Sequence, residues 1–292
     1  MQKLDYVNLG CGSHFDVRWI NIDFISSNNY VISHNLINGI PLSDNSVSVV
    51  YHSHVLEHFS KAQAIDFINE CYRVLKHGGI IRIATPDLER IIQDYQNTIY
   101  YLEKNPDDVI AQANHEWIMI EMYDQCVRHS SGGEMVNFLS QDDVCNLDYV
   151  YSRIGYEGEC LRENLLKNKK NSHLQEEIKN KDFFTKIIWI IQNPLIYLKE
   201  KIKYILFKDE IMHFKQMEIF TKIGQFRLGG EVHQWMYDRF SLSRLLTNAG
   251  FSNIRIVNAF ESSIPNWQEF NLDIKNNKTR KPDSIFIEAQ KL

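Results

Sequence analysis

The chain is predicted to adopt an α/β fold: a doubly wound, mostly parallel sheet of seven strands, with a large helical insertion after the fifth strand. Three observations carry this. The first ninety or so residues interleave short apolar runs with helical or loop segments. From about Pro86 to Val232 the pattern turns helical and poor in strands, over roughly 140 residues. The sheet pattern then resumes to the end of the chain. Strands separated by crossovers pair in parallel, because a short hairpin cannot join parallel neighbours.

In chain order, the apolar runs place strands at Asp5–Leu9, Trp19–Asp23, Tyr30–Ser33, Ser46–His52 and Gly79–Thr85. A helix from Lys61 to Lys76 follows from Ala64, Phe67, Ile68, Cys71, Val74 and Leu75, which recur at helical spacing, and Lys76-His77-Gly78-Gly79 signals its end. Residues 1–90 and 233–292 form the core, and residues 91–232 form an insertion entering at the carboxyl ends of the strands, where ligands bind in open α/β sheets. After it, VHQWMYDR alternates as a strand would, with His233, Trp235, Tyr237 and Arg239 on one face. Phe240–Ala249 reads as a helix stopped by Gly250, and Asn253–Val257 and Ser284–Ala289 read as the last two strands.

Composition narrows the function. The 292 residues carry a net charge of −5, which argues against a general nucleic-acid binder. The five cysteines, Cys11, Cys71, Cys126, Cys145 and Cys160, are scattered with no C-x-x-C pair. That pattern predicts reduced thiols in a cytoplasm rather than a disulfide framework or a zinc site. MQKLDYVNLG is read as running straight into structure without a signal peptide. Between Lys167 and Lys208, ten lysines face four acids, a net of +6, so the remainder carries −11. Within it Phe183–Phe207 is apolar, but Lys186 and the Asn193-Pro194 break make it a poor membrane span. It reads either as a lid packed on its own core or as a basic amphipathic element on a membrane surface.

The chemistry is expected at the strand ends. YVNLGCGSH stops an apolar run at Gly10-Cys11-Gly12, where glycine permits positive φ and a close approach of another molecule to the backbone. Asp23 closes the second strand, where an acid in a nucleoside-binding sheet accepts both ribose hydroxyls. Asn35 follows the third strand, placed for an adenine edge, with Leu36 to cover its face. Ser53-His54 follows the fourth strand and Pro86-Asp87 the fifth.

With these features in this order, the sequence resembles class I S-adenosylmethionine-dependent methyltransferases over about residues 4–90 and 233–290. VNLGCG is similar to the family's glycine motif, INID supplies its acid, and PLSDNSVSVVYHSHVLEHF and VLKHGGIIRIATPD resemble its passages through the fourth and fifth strands. EWIMIEMYDQCVRHSSGGEM and GGEVHQWMYDRFSLSRLLTNAGF further resemble bacterial methyltransferases encoded with capsule, lipopolysaccharide and O-antigen enzymes. The resemblance implies a Rossmann-like sheet, S-adenosylmethionine as cofactor and S-adenosylhomocysteine as product. It places the cofactor on Gly10, Cys11, Gly12, Asp23, Asn35, Leu36, Ser53 and His54. Three features depart from the family pattern: His14 where a small residue is usual, too few residues between Gly10 and Arg18 for the usual first helix, and Asn35 in place of an acid.

The implied reaction is methyl transfer to an oxygen of a sugar, nucleotide sugar or surface-glycan precursor. A phosphorylated or amide-bearing small molecule is the alternative acceptor, and a methyltransferase-like binding protein without turnover the alternative function. Removing the hydroxyl proton needs a base, for which His54 and His233 are the candidates. Glu57 and His58 follow His54, and His54 and His58, four apart, would share a helical face. HVLEH is not the H-E-x-x-H zinc motif, so no metal is assigned. In the insertion, Trp117, Glu121, Asp124 and Arg128 recur at the spacing of one helical face and, with His233 and Tyr237, are the candidate acceptor contacts. The expected partner is thus a small-molecule or glycan acceptor, with the protein cytoplasmic, alone or oligomeric, and residues 183–207 as the candidate membrane contact.

Overall fold

In a computed structural model, residues 4–26 and 28–292 are described, and side chains at 170–190, 200 and 202–204 lie outside that description. The chain runs β1 (Tyr6–Leu9), β2 (Ile20–Asp23), β3 (Val31–Ser33), β4 (Val47–Ser53), α1 (Lys61–Val74) and β5 (Leu75–Pro86). It then forms α2 (Leu88–Leu102), α3 (Val109–Val127), α4 (Gly133–Leu139), α5 (Leu147–Gln192), α6 (Pro194–Leu206) and α7 (Lys208–Leu228). It returns through α8 (Arg239–Asn248) to β6 (Phe251–Val257), a small hairpin of β7 (Ile274–Lys275) and β8 (Lys278–Thr279), and β9 (Ser284–Lys291).

The seven strands lie in the order β3-β2-β1-β4-β5-β9-β6. The first five pair in parallel, and β9 runs antiparallel between β5 and β6. Winding reverses between β1 and β4, so a crevice opens there at the carboxyl ends of the strands. α1 begins on a capping box in which Ser60 and Gln63 satisfy each other's backbone N–H groups. It stops at Val74, two residues before the expected end, because Leu75 turns extended and pairs with Val47.

The two faces of the sheet are covered differently. On one, Val7, Leu9, Ile81, Ile83, Ile285 and Ile287 pack against Phe67, Ile68 and Cys71 of α1 and Leu242 and Leu246 of α8. On the other, no helix fits between β1 and β2. Trp19 and Tyr51 are instead covered by Trp267, Phe270 and Leu272 from the long connection between β6 and β9. Edge-on ring contacts of 5.1 Å (Trp19 to Phe270) and 6.2 Å (Trp19 to Tyr51) hold this cluster together. Arg82, buried in mid-β5, pins the same connection. It donates to Asp273 at 2.8 Å, Glu288 at 2.7 Å and the carbonyls of Asn258 and Glu261 at 2.9 Å, and it lies 4.4 Å from the Trp267 ring. Tyr51 donates to the same Asp273 at 2.6 Å. A buried ion pair of this kind is costly to break, since each partner alone would be an uncompensated charge.

The VHQWMYDR segment is not a strand. Its one ladder contact is an isolated bridge between Tyr237 and Asp87, and Arg239 already belongs to α8. It pairs through that one bridge just past β5 and otherwise hydrogen-bonds to the turn after β4, the Gln234 N–H donating to the Glu57 carbonyl at 2.7 Å. The helical segment α2–α7 also meets the core along its length: the His233 N–H donates to the Gln125 carbonyl of α3 at 2.9 Å, and Glu157 of α5 pairs with Arg280. α5 is broken at Gly155, which adopts φ 63°. The Phe183–Phe207 stretch forms the end of α5 and α6, with the break at Pro194 as the first residue of α6. Several of its side chains lie outside the described residues, and Leu195, Ile196, Leu198, Ile205 and Leu206 are exposed. Among the described residues no helix is long and apolar enough to cross a membrane. All five cysteines are unpaired.

Candidate functional site

The turn after β1 is built by two glycines with different reasons for being glycine. Gly10 has φ 63°, and a Cβ there would lie 2.4 Å from Val55 Cγ2. Its space is thus taken by the loop after β4, not kept for a ligand as expected. Gly12 has φ 55° and faces open space, with nothing within 4 Å of where a Cβ would be. Cys11 is buried, its Sγ donates to the Gly12 carbonyl at 3.6 Å, and burial and the nearby Asp23 carboxylate push its thiol up to about 12. His14, where a small residue was expected, binds the Asn271 carbonyl through Nε2 at 2.7 Å and so ties this turn to the β6–β9 connection.

Asp23 stands at the end of β2 with its carboxylate turned to the glycine turn. Oδ2 accepts the Gly12 N–H at 2.7 Å, and Oδ1 accepts that of Ile25 at 3.3 Å. Each oxygen keeps a lone pair for a further donor. Beyond β3, Asn35 caps the turn Leu36–Asn38 by accepting the Ile37 N–H at 3.1 Å, and Leu36 packs on the main core. Three residues that the sequence reading missed stand beside them: Phe24 is 63% exposed, Ile25 71% and Ile37 58%. Exposed apolar side chains following both Asp23 and Asn35 supply walls for a flat aromatic ring, a signal visible in the sequence as Phe24-Ile25 directly after the acid.

Across the crevice, the loop after β4 gathers the histidines. His54 adopts φ 54°, a left-handed conformation uncommon for a residue with a Cβ and typical of sites that must aim a side chain. Its Nδ1 lies 3.2 Å from Glu57 Oε1 and its Nε2 2.7 Å from the Ser284 hydroxyl at the start of β9. An ionised carboxylate can only accept, so the proton sits on Nδ1 and Nε2 accepts from Ser284. Glu57 is 0% exposed; its Oε2 accepts the Thr85 hydroxyl at 3.1 Å, and the neighbouring imidazoles hold its carboxyl below the usual carboxylate range despite burial. Residues 56–58 make a single tight turn rather than a helix, so His54 and His58 do not share a helical face. They flank Glu57 instead, and His58 stands edge-on to His233, ring centres 4.8 Å apart. His233 is 6% exposed, and burial pulls it down to about 3. Ser53 ends β4, half-buried beside His54.

His52, one turn of the pleat below, is fully buried against Phe67, and neither ring nitrogen has a hydrogen-bond partner. Burial pulls it from the ordinary histidine value of 6.5 to about 4. Because the unfolded chain binds this proton more readily, His52 supports the fold fully above pH 6.5 and progressively less as pH falls toward 4. His233 adds to the same trend. The melting temperature should therefore fall between pH 7 and pH 5, and less steeply in His52→Leu, as read by scanning calorimetry across that range.

The expected acceptor face in the insertion is turned inward. Trp117, Glu121 and Asp124 do share one face of α3, but Trp117 is 0% exposed and packs on Phe138, Leu139 and Val150. Glu121 takes a two-pronged pair from Arg153 at 2.6 and 3.1 Å, and Asp124 accepts the Glu134 N–H at the start of α4 at 2.8 Å. Arg128 donates to the Glu231 carbonyl at 3.1 Å and faces its carboxylate at 3.4 Å. These four hold the insertion together. Tyr237 is buried in the main core, while Trp235 is exposed, with the Lys61 ammonium 4.4 Å from its ring centre.

Comparison with known proteins bears on the crevice half of this site. Residues 23–83 match the methyltransferase domain family. A Mycolicibacterium smegmatis protein described as a probable S-adenosylmethionine-dependent methyltransferase is 42% identical over 57 residues, 19% of this chain. The aligned stretch spans only 21% of that relative's length. Among solved structures, a SAM-dependent methyltransferase from Archaeoglobus fulgidus aligns over 99% of this chain and 86% of its own at 10% identity, TM-score 0.37. A SAM-dependent methyltransferase from Thermotoga maritima, described as a possible histamine N-methyltransferase, aligns over 98% and 81% at 11% identity, TM-score 0.35.

S-adenosylmethionine is the cofactor that goes with this domain, and the residues present fit it. Open space over Gly12 suits its amino-acid end, the Asp23 carboxylate its ribose hydroxyls, and exposed Phe24, Ile25 and Ile37 its adenine. The sheet, ordered β3-β2-β1-β4-β5-β9-β6 with one antiparallel strand, carries its likeness to the methyltransferase domain family from the end of β2 into β5.

Proposed function

We propose that this chain transfers a methyl group from S-adenosylmethionine to an oxygen of a sugar, nucleotide sugar or surface-glycan precursor. One juxtaposition carries the reading: His54, oriented by the buried Glu57, stands at the end of β4, and neighbouring Val55 packs over the glycine turn at the end of β1. The cofactor supplies an activated methyl on a sulfonium. The protein's part is to align the acceptor, worth up to about 7–11 kcal/mol of barrier, and to take its proton, worth about 10²–10⁴-fold.

His54 is suited to the proton and His233 is not. The Glu57 carboxylate fixes the Nδ1–H tautomer of His54, leaving Nε2 as an acceptor toward Ser284. An acceptor hydroxyl that takes the place of Ser284, whose own hydroxyl can turn to Asp283 Oδ1 at 3.5 Å, can donate to that nitrogen, and Glu57 stabilises the imidazolium that results. His233, pulled down to about 3, is too weak a base to hold a hydroxyl proton near neutral pH. A phosphorylated acceptor drew on the basic insertion and on Arg128, and Arg128 already pairs with Glu231.

Calorimetric titration with S-adenosylmethionine, followed by mass spectrometry of a panel of nucleotide sugars and glycan precursors, tests the proposal. Cofactor binding with a 14-Da gain on a sugar oxygen is the expected result. Binding with no transfer to any acceptor would point to a non-catalytic binding protein, and absence of binding would end the methyltransferase reading.

A further inference from the structure

Glu57, His58 and His233 present one carboxylate oxygen and two imidazole nitrogens within 4.8 Å of one another. We infer that these three residues form a site for one divalent first-row transition-metal ion, of the zinc, cobalt or manganese kind, with an open position for a further ligand.

Four observations support it. First, His58 Nδ1 is buried without a hydrogen bond, and Glu57 Oε1, on a residue that is 0% exposed, faces His54 Nδ1 at 3.2 Å and keeps its second lone pair. Buried polar atoms of this kind are rare, and an unplaced ion is one of their ordinary explanations. Second, the other oxygen of Glu57 is already occupied in the way that metal ligands usually are: Oε2 accepts the Thr85 hydroxyl at 3.1 Å. Such bonds fix the orientation of ligating side chains.

Third, the two supporting segments are stapled together by main chain. The Glu57 carbonyl accepts the N–H groups of Gln234 at 2.7 Å and Trp235 at 3.2 Å, and Gln234 Nε2 donates to the His58 carbonyl at 3.1 Å. The ligand set is therefore held by backbone geometry, not by side-chain contacts alone. Fourth, the spacing is close to that of a bound state. Donors bonded at about 2.0–2.1 Å around a tetrahedral ion stand roughly 3.3–3.4 Å apart. His233 Nε2 and Glu57 Oε1 are 3.9 Å apart and all three donors lie within 4.8 Å, so the side chains must turn inward to close the set.

The donor types select the ion. Two imidazoles with one carboxylate suit zinc and its neighbours, whereas magnesium and calcium prefer all-oxygen shells. The site joins the turn after β4 to the segment that returns from the insertion, so an ion there would clamp the insertion onto the crevice beside His54. His54 is left outside the ligand set, with Nε2 on Ser284.

The inference does not rest on the methyl-transfer reading, and metal binding can be read with neither cofactor nor acceptor present. The full-length protein, stripped with chelator and dialysed, is titrated with Co²⁺ while visible absorption is followed. One equivalent should bind with d–d bands of low-coordinate cobalt, Zn²⁺ should displace it, and the melting temperature should rise with either ion. His58→Ala and His233→Ala should each abolish the bands, and His54→Ala should keep them. X-ray absorption of the zinc-loaded wild type gives the same answer without variants, as two imidazole ligands. No spectrum in the wild type, no imidazole ligands, or an unchanged spectrum in folded His58→Ala and His233→Ala would each overturn the site.

Discussion

Asp23→Ala is expected to weaken S-adenosylmethionine binding by about 10–100-fold while leaving the melting temperature within a few degrees of wild type. Hydrogen bonds to a charged group contribute about 1.5–3 kcal/mol each, and about 1.4 kcal/mol is a factor of ten in affinity. Asp23 would supply such bonds to the ribose, and it also holds the glycine turn by accepting the Gly12 N–H at 2.7 Å. Both are lost in the alanine variant, so the turn must be ordered by the ligand itself. The fold is little affected because the side chain is half-buried at a strand end and packs in neither core cluster. Asp23→Asn keeps one acceptor oxygen and should fall between the two. Titration calorimetry checks this, and undiminished affinity in Asp23→Ala would remove the acid from the cofactor site.

His54→Ala should lower the single-turnover rate of methyl transfer by about 10²–10⁴-fold, the range for a positioned base, with cofactor affinity changed only a few-fold. The imidazole is held from both sides, by Glu57 at Nδ1 and Ser284 at Nε2, so its loss removes a proton acceptor already in place. Quench-flow with isotope-labelled cofactor reads the rate and titration calorimetry the affinity, and a loss below tenfold would exclude His54 as the base.

The strands and α1 were legible because their signals are local. Val7 and Leu9, or Phe67, Ile68 and Cys71, advertise a buried face within a few residues of chain. The glycine turn and Asp23 were legible for the same reason, each lying where a short apolar run ends. The helical period of Trp117, Glu121 and Asp124 was also read correctly as one face. What that face meets could not be read, since Arg153 and the start of α4 reach it only after the chain has turned twice. His58 and His233 show the same limit: 175 residues apart, they meet edge to edge because the chain returns past the turn after β4.

By itself, then, the sequence determined the seven strands of the sheet, α1 and α8, the order of their chemistry along the strand ends and the length of chain between β5 and α8. Only the tertiary structure decided which glycine leaves room for a ligand, which histidine can take a proton, and that Arg82 pins the β6–β9 connection over Trp19. The reason is physical: backbone preference and hydrophobic period act over a few residues, whereas the charge state and partners of a buried side chain depend on groups brought to it from anywhere in the chain.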